Sequence, residues 1–463
     1  MNKAISIILV LLVFVFLFVS CNGDGSVDEA FNCTITFDGN GATEGEMSNQ
    51  TAGRGVAIGL NANTFERTQH LFTGWNTEQD GSGTAYTNGQ KISLTGNITL
   101  FAQWEVIPII LDSSMGGWTD GNVYTMNSDV TIENRIAVSG SVTLILNDGC
   151  KLTAYNGIEV NEGISLTIES SGEGTGILEA TGIAGSAGIG GRGELSGGTI
   201  IINGGTVNAR AIDGGSGIGG GQSGSGGTIT INGGTVNASA YGGGAGIGGG
   251  FNGACGTIAI NGGTVEASAK NTGAGIGGGY KGSGGTININ GGTVNARAES
   301  SGAGIGGGEG GSGGTINING GTVEASAKNT GAGIGGGQSG SGGTITINDG
   351  TVNARSETSG AGIGGGWSGA GGTITISGGT VNANSLVGAG IGGGNQEAGG
   401  TITINGGTVN ASSVYGEVGI GGGSGGSDGT LTLGEGVVLE VSTDNANWSD
   451  YEEPIRQRYM RTK

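Results

Sequence analysis

The chain has 463 residues, of which 114 are glycine and 2 are proline, and its acidic side chains outnumber the basic ones to leave a formal net charge of −20. Only 12% of the residues are charged and 5% are aromatic, which is far from the composition of an ordinary packed enzyme domain. The glycines do not recur at every third position, which excludes a collagen-type triple helix. The excess of acid predicts no nucleic-acid partner, because phosphate contacts need clustered Lys and Arg.

The first residues have the pattern of an export signal. Lys3 is followed by an uncharged, mainly apolar run from Ile5 to Val19. As a helix this run would span about 22 Å, shorter than the ~30 Å hydrocarbon core of a bilayer. It therefore predicts a signal peptide over residues 1–20 rather than a membrane span. The polar, acidic segment 21–31 suits a flexible tether.

The end of this signal, Leu17-Phe18-Val19-Ser20-Cys21, resembles a bacterial lipoprotein box. The resemblance implies that Cys21 carries lipid, becomes the first residue of the mature protein and attaches it to a membrane. Phe18 departs from the leucine that the family prefers at that position. The alternative is an ordinary secretory signal that happens to contain a cysteine.

Three further cysteines, Cys33, Cys150 and Cys255, lie far apart in the sequence. No Cys-x-x-Cys or Cys/His spacing occurs, so the pattern does not support a zinc site. We expect these cysteines to be small buried residues, and we expect neither a metal nor another cofactor.

Residues 32–105 contain alternating apolar runs, such as Thr34–Phe37, separated by turn signals such as Asp80-Gly81, which predicts short strands. Four motifs then carry a resemblance: Phe37-Asp38-Gly39-Asn40-Gly41, Phe72-Thr73-Gly74-Trp75-Asn76-Thr77, Asp80-Gly81-Ser82-Gly83-Thr84-Ala85-Tyr86 and Ile98-Thr99-Leu100-Phe101-Ala102-Gln103-Trp104. Together they resemble the Listeria–Bacteroides repeat, the B-repeat module of internalin-type surface proteins. The resemblance implies a compact β-grasp-like spacer or adhesive module of bacterial surface proteins, without catalysis.

The rest of the chain consists largely of a repeated sequence unit. Gly-Thr-Val and Gly-Ile-Gly-Gly both recur in steps of 29 residues, and each series contains one step of 28. Within one unit, residues 227–240 alternate polar and apolar side chains, which is the period of a strand. The glycine density excludes a helix. Because a single unit cannot bury its inward residues, stacked units with three short strands each predict a parallel β-helix.

The expected fold is therefore mainly β. A small β-grasp-like module at residues 32–105 is followed by a right-handed parallel β-helix of about 10 coils over residues 128–441. Residues 106–127 are predicted as a connector and N-terminal cap. Residues 442–463 break the repeat and are predicted as a C-terminal cap.

The repeat offers little for catalysis. Glu266 and Glu324 share a column but lie two coils apart, roughly 10 Å, which is wide even for an inverting carboxylate pair. No histidine occurs in the repeats. The turns carry Ile-Gly-Gly-Gly where calcium-binding glycine-rich solenoids need aspartate. We therefore expect a protein that is not an enzyme and holds no metal.

One outward column of the repeat is rich in threonine, as in Thr228 with Thr230 and Thr344 with Thr346. Regular Thr-x-Thr arrays resemble the flat faces of ice-binding solenoids. The second threonine is replaced in three coils, by Ala259, Asn288 and Asn317. We favour the simpler interpretation that threonine suits exposed strand positions.

A second outward column lies four residues after each Gly-Ile isoleucine. It contains the candidate sugar-stacking rings Phe251, Tyr280 and Trp367, and the candidate polar contacts Gln222, Gln338 and Asn395. Rings on a rigid scaffold can stack on sugar faces while amides supply hydrogen bonds. The alternative, which we weigh equally, is that these rings cover the glycine-rich turns beneath them.

These features predict a lipid-anchored bacterial cell-surface protein of the cell envelope, exposed at the surface or facing the periplasm. We expect it to bind a polysaccharide or to act as an adhesin through the β-helix, without catalysis. The alternatives are a passive surface stalk or coat protein and, with less support, a polysaccharide lyase.

Overall fold

The computed structural model describes residues 32–416, 418–442, 445–447, 449–450 and 458–463. The predictions for residues 1–31, which are the signal peptide, the lipidated Cys21 and the tether, lie outside these residues. The chain folds as two compact units, and the division between them falls after Val106. Each unit has its own hydrophobic core.

The first unit is a small mixed sheet with a separate two-stranded ribbon. Its strands are β1 (Asn32–Asp38), β2 (Gln50–Gly53), β3 (Ala57–Gly59), β4 (His70–Asn76), β5 (Ala85–Tyr86), β6 (Lys91–Ser93) and β7 (Ile98–Val106). Five of them form one sheet in the order β2-β1-β7-β4-β5, and β3 pairs with β6. β1 and β7 run parallel, whereas β4 and β7 run antiparallel. The described part of this unit contains no helix.

The core of the first unit is built around Trp75, which is fully buried. The ring centroids of Phe37 and Phe72 lie 4.9 and 5.0 Å from that of Trp75, and both rings are tilted against it. Gly74, at an irregularity in the pairing of β4 with β7, has a φ of 153°. A Cβ there would lie 2.8 Å from the carbonyl oxygen of Tyr86, so the motif around Trp75 requires its glycine.

The second unit is a solenoid, and each regular coil contributes one strand to each of three long sheets. In one coil these strands are Thr228–Ile231, Thr235–Ala240 and Ile247–Gly248. We name the sheets A, B and C in that order. Neighbouring coils pair in parallel and in register, as in Ile229 with Ile258 and Val236 with Val265. This arrangement confirms the predicted β-helix and its repeat of about 29 residues.

Among the described residues, sheet A has 13 strands, which are Ile109–Ile110, Val123–Thr125, Ser141–Leu146, Ser165–Ser170, Thr199–Ile202, Thr228–Ile231, Thr257–Ile260, Thr286–Ile289, Thr315–Ile318, Thr344–Ile347, Thr373–Ile376, Thr401–Ile404 and Thr430–Leu433. Sheet B has 14 strands in the described residues, which are Val130–Ile132, Lys151–Ala154, Ile177–Gly182, Thr206–Ala211, Thr235–Ala240, Thr264–Ala269, Thr293–Ala298, Thr322–Ala327, Thr351–Ser356, Thr380–Ser385, Thr408–Ser413, Leu439–Ser442, Ser449–Asp450 and Tyr459–Thr462. Sheet C has 12 strands in the part of the chain that the structure describes, which are Gly117–Trp118, Ile136–Val138, Ile158–Glu159, Ile189–Gly190, Ile218–Gly219, Ile247–Gly248, Ile276–Gly277, Ile305–Gly306, Ile334–Gly335, Ile363–Gly364, Ile391–Gly392 and Ile420–Gly421.

The inward residues of the three sheets form one continuous core. Ile229 and Ile231 of sheet A, Val236 of sheet B and Ile247 of sheet C are completely buried, and the equivalent residues of the other regular coils are buried as well. Full burial of one such aliphatic side chain contributes about 1.5–3 kcal/mol. The stacked columns of Ile and Val therefore stabilise the solenoid, because each coil covers the inward side chains of its neighbour.

The glycine after each isoleucine of sheet C is required by its conformation. Gly219 has a φ of 130°, and a Cβ there would lie 2.2 Å from the carbonyl oxygen of Gly248 in the next coil. Gly248 repeats the same φ and the same close approach to Gly277. Only glycine fits this position, which explains why Gly-Ile-Gly-Gly persists through the repeat.

The solenoid starts earlier than residue 128. Ile109–Ile110 and Val123–Thr125 belong to sheet A, and Gly117–Trp118 pairs in parallel with Ile136–Val138 of sheet C. Residues 106–127, predicted as connector and cap, thus supply strands of the first irregular coil. Their spacing departs from 29 residues because the early turns are shorter, and the repeat motifs do not reveal them.

Sheet B ends in antiparallel pairing. Tyr459–Thr462 pairs antiparallel with Thr408–Ser413, and Leu439–Ser442 pairs antiparallel with Tyr459–Thr462. Met460 is buried at the end of the core, where its sulfur accepts a hydrogen bond from the amide of Ile420 at 3.3 Å. The parallel pairing of sheet B thus gives way to antiparallel pairing. The first of these strands begins at Leu439, within the segment predicted as β-helix.

Candidate functional site: a polar groove along sheet B

The predicted aromatic column lies on the turn that follows each strand of sheet C. Backbone hydrogen bonds to a neighbouring coil hold this position: the amide of Phe251 donates to the carbonyl oxygen of Gly214 at 2.7 Å, and the amide of Trp367 donates to that of Thr330 at 2.7 Å. The next residue has a positive φ in several coils, as at Asn252. The column therefore repeats with the same backbone geometry from coil to coil.

The three rings do not form one strip. Phe251 and Tyr280 stack on each other, with centroids 5.0 Å apart and planes 17° apart, and both are half-buried. A Cβ on Gly243 would lie 2.7 Å from the Phe251 ring, so this ring rests on the glycine turn below it. Trp367 lies three coils further on and is 39% exposed.

The predicted polar contacts of this column differ from one another. Gln222 is exposed, whereas Gln338 and Asn395 are half-buried. The Gln338 Oε1 atom accepts a hydrogen bond from the Thr330 hydroxyl at 2.9 Å, which uses part of its capacity within the protein. The column thus contains one stacked pair of rings and amide side chains that differ in exposure.

The predicted threonine columns lie on the outer face of sheet A. Thr228 is exposed and Thr230 is half-buried, and the neighbouring coil presents Ala259 beside Thr230. The second threonine column is therefore discontinuous on the folded sheet, as its sequence indicates.

A groove that the sequence analysis did not identify follows the outer face of sheet B. It consists of three adjoining hollows of about 550, 320 and 270 Å³. The first two share Asn295 and the last two share Asn384. The three hollows therefore form a row from Glu179 to Arg461, parallel to the stacking direction of the coils, and we call this row the groove.

The floor of the groove contains a column of amide and carboxylate side chains. Its members, one per coil, are Asn208, Asn237, Glu266, Asn295, Glu324, Asn353, Asn382 and Asn410. The Asn237 amide donates to the Asn208 side-chain oxygen at 2.8 Å, and Asn382 donates to Asn353 in the same way. Each of these side-chain amides donates one N–H to its neighbour and has a second N–H left as a donor.

A second column on the same face alternates cations with small polar side chains. Its members are Arg210, Ser239, Ser268, Arg297, Ser326, Arg355, Asn384 and Ser412. The Arg210 guanidinium carbon lies 4.3 Å from the centroid of the Tyr241 ring at the edge of sheet B, which is a cation–π contact. The arginines are therefore placed along the groove at intervals of two or three coils.

The edge of the groove carries an ionic cluster around Glu299. This carboxylate contacts Arg297 at 2.8 Å, Lys270 at 3.5 Å and Lys328 at 3.5 Å. Burial by itself would raise the pKa of Glu299, but the three positive charges outweigh it and hold the pKa below its usual value. This carboxylate therefore links the cations of three neighbouring coils at the edge of the groove.

The cations of the repeats are concentrated at this groove. Residues 199–433 contain six Lys and Arg side chains. Five of them, Arg210, Lys270, Arg297, Lys328 and Arg355, line the groove or its edge. Five carboxylates, Glu179, Glu266, Glu299, Glu324 and Glu357, line the same hollows, so acidic and basic groups are nearly balanced in the groove, in contrast to the net charge of −20 of the whole chain.

The two glutamates of the amide column are widely spaced. Glu266 and Glu324 face outward two coils apart with Asn295 between them, which places them about 10 Å from each other at ~4.8 Å per coil. Among the described residues, no three His, Cys, Asp or Glu side chains are grouped so that they could hold a metal ion.

The groove could have been found from the sequence by aligning the outward residues of the second strand in each repeat. Arg210, Arg297 and Arg355 then fall in one column, and the amides fall in another. The aromatic residues drew the prediction to a turn because rings are scarce in this chain.

Comparison with known proteins supports both units. Residues 34–103 match the family profile of the Listeria–Bacteroides repeat domain. The β-helix repeat profile matches residues 200–222, 229–251, 258–280, 287–309, 316–338, 345–367, 374–395 and 402–424. No solved structure matches the chain significantly.

A segment of 44 residues is 48% identical to a protein of Evansella cellulosilytica that is provisionally described as a Gly-rich membrane protein. The segment covers 9% of this chain and 5% of that relative. In the described part of the chain, no helix has the length and apolar character needed to cross a membrane. The two kinds of repeat fit an extracellular surface protein, and none of these matches is to a catalytic family. The chain therefore carries a Listeria–Bacteroides repeat domain at residues 34–103, followed by a β-helix repeat region.

Proposed function

We propose that this protein is a non-catalytic bacterial cell-surface protein that binds a polysaccharide in the groove of sheet B. The row of three adjoining hollows from Glu179 to Arg461 is the observation that carries the proposal. It covers nine coils, a length of roughly 40 Å at ~4.8 Å per coil. A site this long suits a linear polymer better than a small molecule.

The groove has the groups that sugars need. The amide column offers N–H donors and carbonyl acceptors to hydroxyl groups. At the edge, Ile212 and Tyr241 are each 37% exposed and provide apolar surface for the C–H faces of sugar rings. Because the floor belongs to a stacked sheet, these groups are held in place before the ligand arrives, which lowers the entropic cost of binding.

We infer that the protein does not cleave its ligand. The outward carboxylates Glu266 and Glu324 lie two coils apart, about 10 Å at ~4.8 Å per coil, which is at the upper limit of the ~6.5–9.5 Å of inverting glycosidases. The single histidine, His70, belongs to the first unit, and its Nδ1 atom lies 2.7 Å from the carbonyl oxygen of Thr68. A steady increase of unsaturated sugar products during incubation would contradict this inference.

Calorimetric titration of the full chain with a panel of soluble polysaccharides tests the proposal. The double variant Asn237→Ala/Asn353→Ala removes two amides from the groove floor, and we expect about tenfold weaker binding, since each lost hydrogen bond contributes ~0.5–1.5 kcal/mol. The matched control, Thr230→Ala/Thr346→Ala on sheet A, should bind as the unchanged protein does. Absence of binding to every polysaccharide would contradict the proposal and favour a passive stalk or coat protein.

The variant Trp367→Ala distinguishes ligand binding in the groove of sheet B from ligand binding at the aromatic column on the turns. Trp367 is the exposed ring of that column, so a loss of binding in this variant alone would move the site from sheet B to the turns. Binding that survives Trp367→Ala but not the double amide change places it in the groove.

We further propose that lipid on Cys21 holds the protein at the cell envelope, as the lipoprotein-type signal indicates. A lipidated chain partitions into detergent, whereas a Cys21→Ser variant should stay in the aqueous phase. Equal partitioning of the two forms would contradict lipid attachment and leave an ordinary secretory signal.

A further inference from the structure

The turn that leads from sheet A to sheet B carries an asparagine followed by a glycine in most of the regular coils. These asparagines align from coil to coil, because each directly follows an in-register strand of sheet A. We call them the Asn-Gly column, and its members are Asn203, Asn232, Asn261, Asn290, Asn319 and Asn405. In an Asn-Gly pair the backbone amide of glycine can attack the side-chain amide of asparagine easily, because glycine has no side chain that hinders the approach.

Five members of the column are held in a ladder of side-chain hydrogen bonds. The Asn232 Nδ2 atom donates to the Asn203 Oδ1 atom at 2.8 Å, and Asn261 donates to Asn232 at 2.7 Å. Equivalent contacts of 2.8 Å continue the ladder through Asn290, Asn319 and Asn348. An amide inside the ladder donates to one neighbour and accepts from the next, so its side chain turns toward its own backbone only after both contacts are broken.

Asn405 belongs to the same column but lies outside the ladder. Its neighbours are Ser377 in the preceding coil and Gly434 in the following coil, and neither of them has an amide side chain. Among the residues that the structure describes, the side chain of Asn405 makes no hydrogen bond, and the backbone amide of Gly406 donates none. Asn405 is exposed, as Asn232 is, so the two sites differ in the ladder and not in their access to water.

The remaining Asn-Gly pairs of the described residues are held in other ways. Hydrogen bonds with the backbone restrain the side chains of Asn40, Asn88 and Asn156. The side chain of Asn252 has no partner in the described part of the chain, but the amide of Gly253 donates to the carbonyl oxygen of Gly250 at 2.7 Å and is not free to attack. Within the described chain, Asn405 is therefore the Asn-Gly site at which both reacting groups are unrestrained.

We propose that Asn405 is a site of spontaneous deamidation, at which the protein acquires a carboxylate as it ages. The Gly406 nitrogen attacks the side-chain carbonyl carbon of Asn405 and gives up its proton, the bond from that carbon to the side-chain nitrogen breaks, and ammonia leaves. The product is a five-membered succinimide ring. One water molecule then opens the ring at either of its carbonyl groups and leaves aspartate or isoaspartate. The sequence of steps consumes one water, releases one ammonia and involves no change in oxidation state.

The modification changes two properties of the solenoid at this position. The outward residues of sheet A between Thr199 and Thr432 are uncharged, so the new carboxylate introduces a charge beside a neutral face. In isoaspartate the main chain passes through the former side chain and is one atom longer. The lengthened turn leads into Thr408–Ser413, which is the strand that pairs with Tyr459–Thr462.

Incubation of the full chain in mildly alkaline water enriched in heavy oxygen tests the proposal, because each deamidated residue takes up the label. Peptide mapping by mass spectrometry, with fragmentation to locate each site, follows the rate at every asparagine. We expect Asn405 to convert first and Asn261 to convert about tenfold more slowly or less, since two hydrogen bonds must break there before the ring closes. Equal rates at these two sites overturn the proposal, as does an Asn405 that stays unlabelled throughout.

The variant Ser377→Asn extends the ladder toward Asn405. It places an amide between Asn348 and Asn405, and the fold should persist because asparagine occupies this position in both adjoining coils. We expect conversion of Asn405 to slow about tenfold. The matched control Thr375→Asn adds an amide on the same strand outside the Asn-Gly column, at a position where Asn317 stands in another coil, and should leave the rate unchanged. An unchanged rate at Asn405 in Ser377→Asn overturns the proposal.

The variant Asn290→Ser supplies the reverse test. Serine occurs naturally in this column at Ser377, so the change should be tolerated. Asn319 then loses the oxygen to which it donates, and its conversion should become faster than in the unchanged protein. Conversion of Asn319 at its original rate would show that the ladder does not protect its members, which also overturns the proposal.

Discussion

The rings of Phe251 and Tyr280, on equivalent turns of adjacent coils, stack with their centroids 5.0 Å apart. Each ring covers one face of the other, and Phe251 also rests on the glycine turn at Gly243. The pair therefore acts as a clamp, that is, a contact that stabilises the packing of two neighbouring coils. A stacked aromatic pair contributes about 0.5–1.5 kcal/mol beyond the burial of its area.

We expect Phe251→Ala to lower the free energy of unfolding by about 2 kcal/mol, because the variant loses the burial of a half-buried ring as well as the stacking, measured by urea denaturation, and to leave polysaccharide binding unchanged. Glu309→Ala, at the same turn position one coil after Tyr280, has no ring partner and serves as the control. A variant Phe251→Ala that is as stable as the control, or that binds polysaccharide less tightly, would show that the pair does not act as a clamp alone.

A methyl group at Gly219 should destabilise the solenoid strongly. Its Cβ would lie 2.2 Å from the carbonyl oxygen of Gly248, and φ there is 130°. We expect Gly219→Ala to cost about 3 kcal/mol or more, since backbone of two coils must separate.

Gly117→Ala is the matched control, because nothing lies within 4 Å of a Cβ at Gly117 and its φ is ordinary. Thermal unfolding followed by circular dichroism compares the two. Equal melting temperatures would show that the close approach in sheet C is not required.

Arg135 covers the carbonyl oxygens at the start of sheet C. Its Nη1 atom donates to Ala187 at 2.9 Å, and its Nη2 atom donates to Gly190 at 3.0 Å. Burial lowers the pKa of Arg135 to about 10, while the carboxylate of Glu159 acts in the opposite direction. We expect Arg135→Met to cost about 3 kcal/mol, because buried carbonyl groups lose their donor.

Arg192 also contacts Glu159, at 3.7 Å, but its side chain is 67% exposed. The change Arg192→Met should therefore cost less than about 1 kcal/mol. Hydrogen exchange of the amides of coils 130–200 provides the measurement. Faster exchange in the Arg192 variant than in the Arg135 variant would contradict the prediction that Arg135 contributes more to stability than Arg192.

The Glu299 cluster predicts a loss of stability in acid. The pKa of Glu299 is lowered in the folded protein, so the unfolded chain takes up the proton first as the pH falls. The stabilisation is complete above the ordinary glutamate pKa of about 4.3 and decreases as the pH falls through the lower pKa of the folded state.

Melting temperatures of the unchanged protein and of Glu299→Gln, measured between pH 7 and pH 3, test this expectation. The unchanged protein should be the more stable at pH 7, and the difference should shrink below about pH 4. Glu309→Gln, which changes an acid outside the cluster, should show no such convergence. A difference that stays constant with pH would rule out the carboxylate as its source.

The architecture could be predicted from the sequence because each inward position is specified many times. Ile229, Val236 and Ile247 recur at a fixed spacing, and the alternation around them allows one strand register only. The first coils could not be placed in this way. Trp118 and Tyr124, whose rings stack at 5.3 Å, fill the core there without repeating any motif.

The groove was harder to predict than the fold, because its shape depends on three-dimensional stacking of residues that are ordinary when considered singly. Asn237 and Ser239 are common residues of an exposed strand, and they define a surface only when eight equivalents align. Phe251 and Tyr280 attracted attention for the opposite reason, since rare side chains are conspicuous even where they fill a structural role.

The antiparallel strand Tyr459–Thr462 pairs with the last parallel strand of sheet B. A new coil therefore cannot be added there without displacing it. Whole coils can be inserted between the two ends, as the two-coil segments 264–321 and 322–379 illustrate, since both begin with Thr-Val-Glu-Ala-Ser-Ala-Lys-Asn-Thr. Gene variants that lose or gain such a pair of coils would shorten or lengthen the molecule in fixed increments, with both termini and the pattern of side chains preserved. Under the proposed function, the number of coils would then set the length of polymer that the groove can hold.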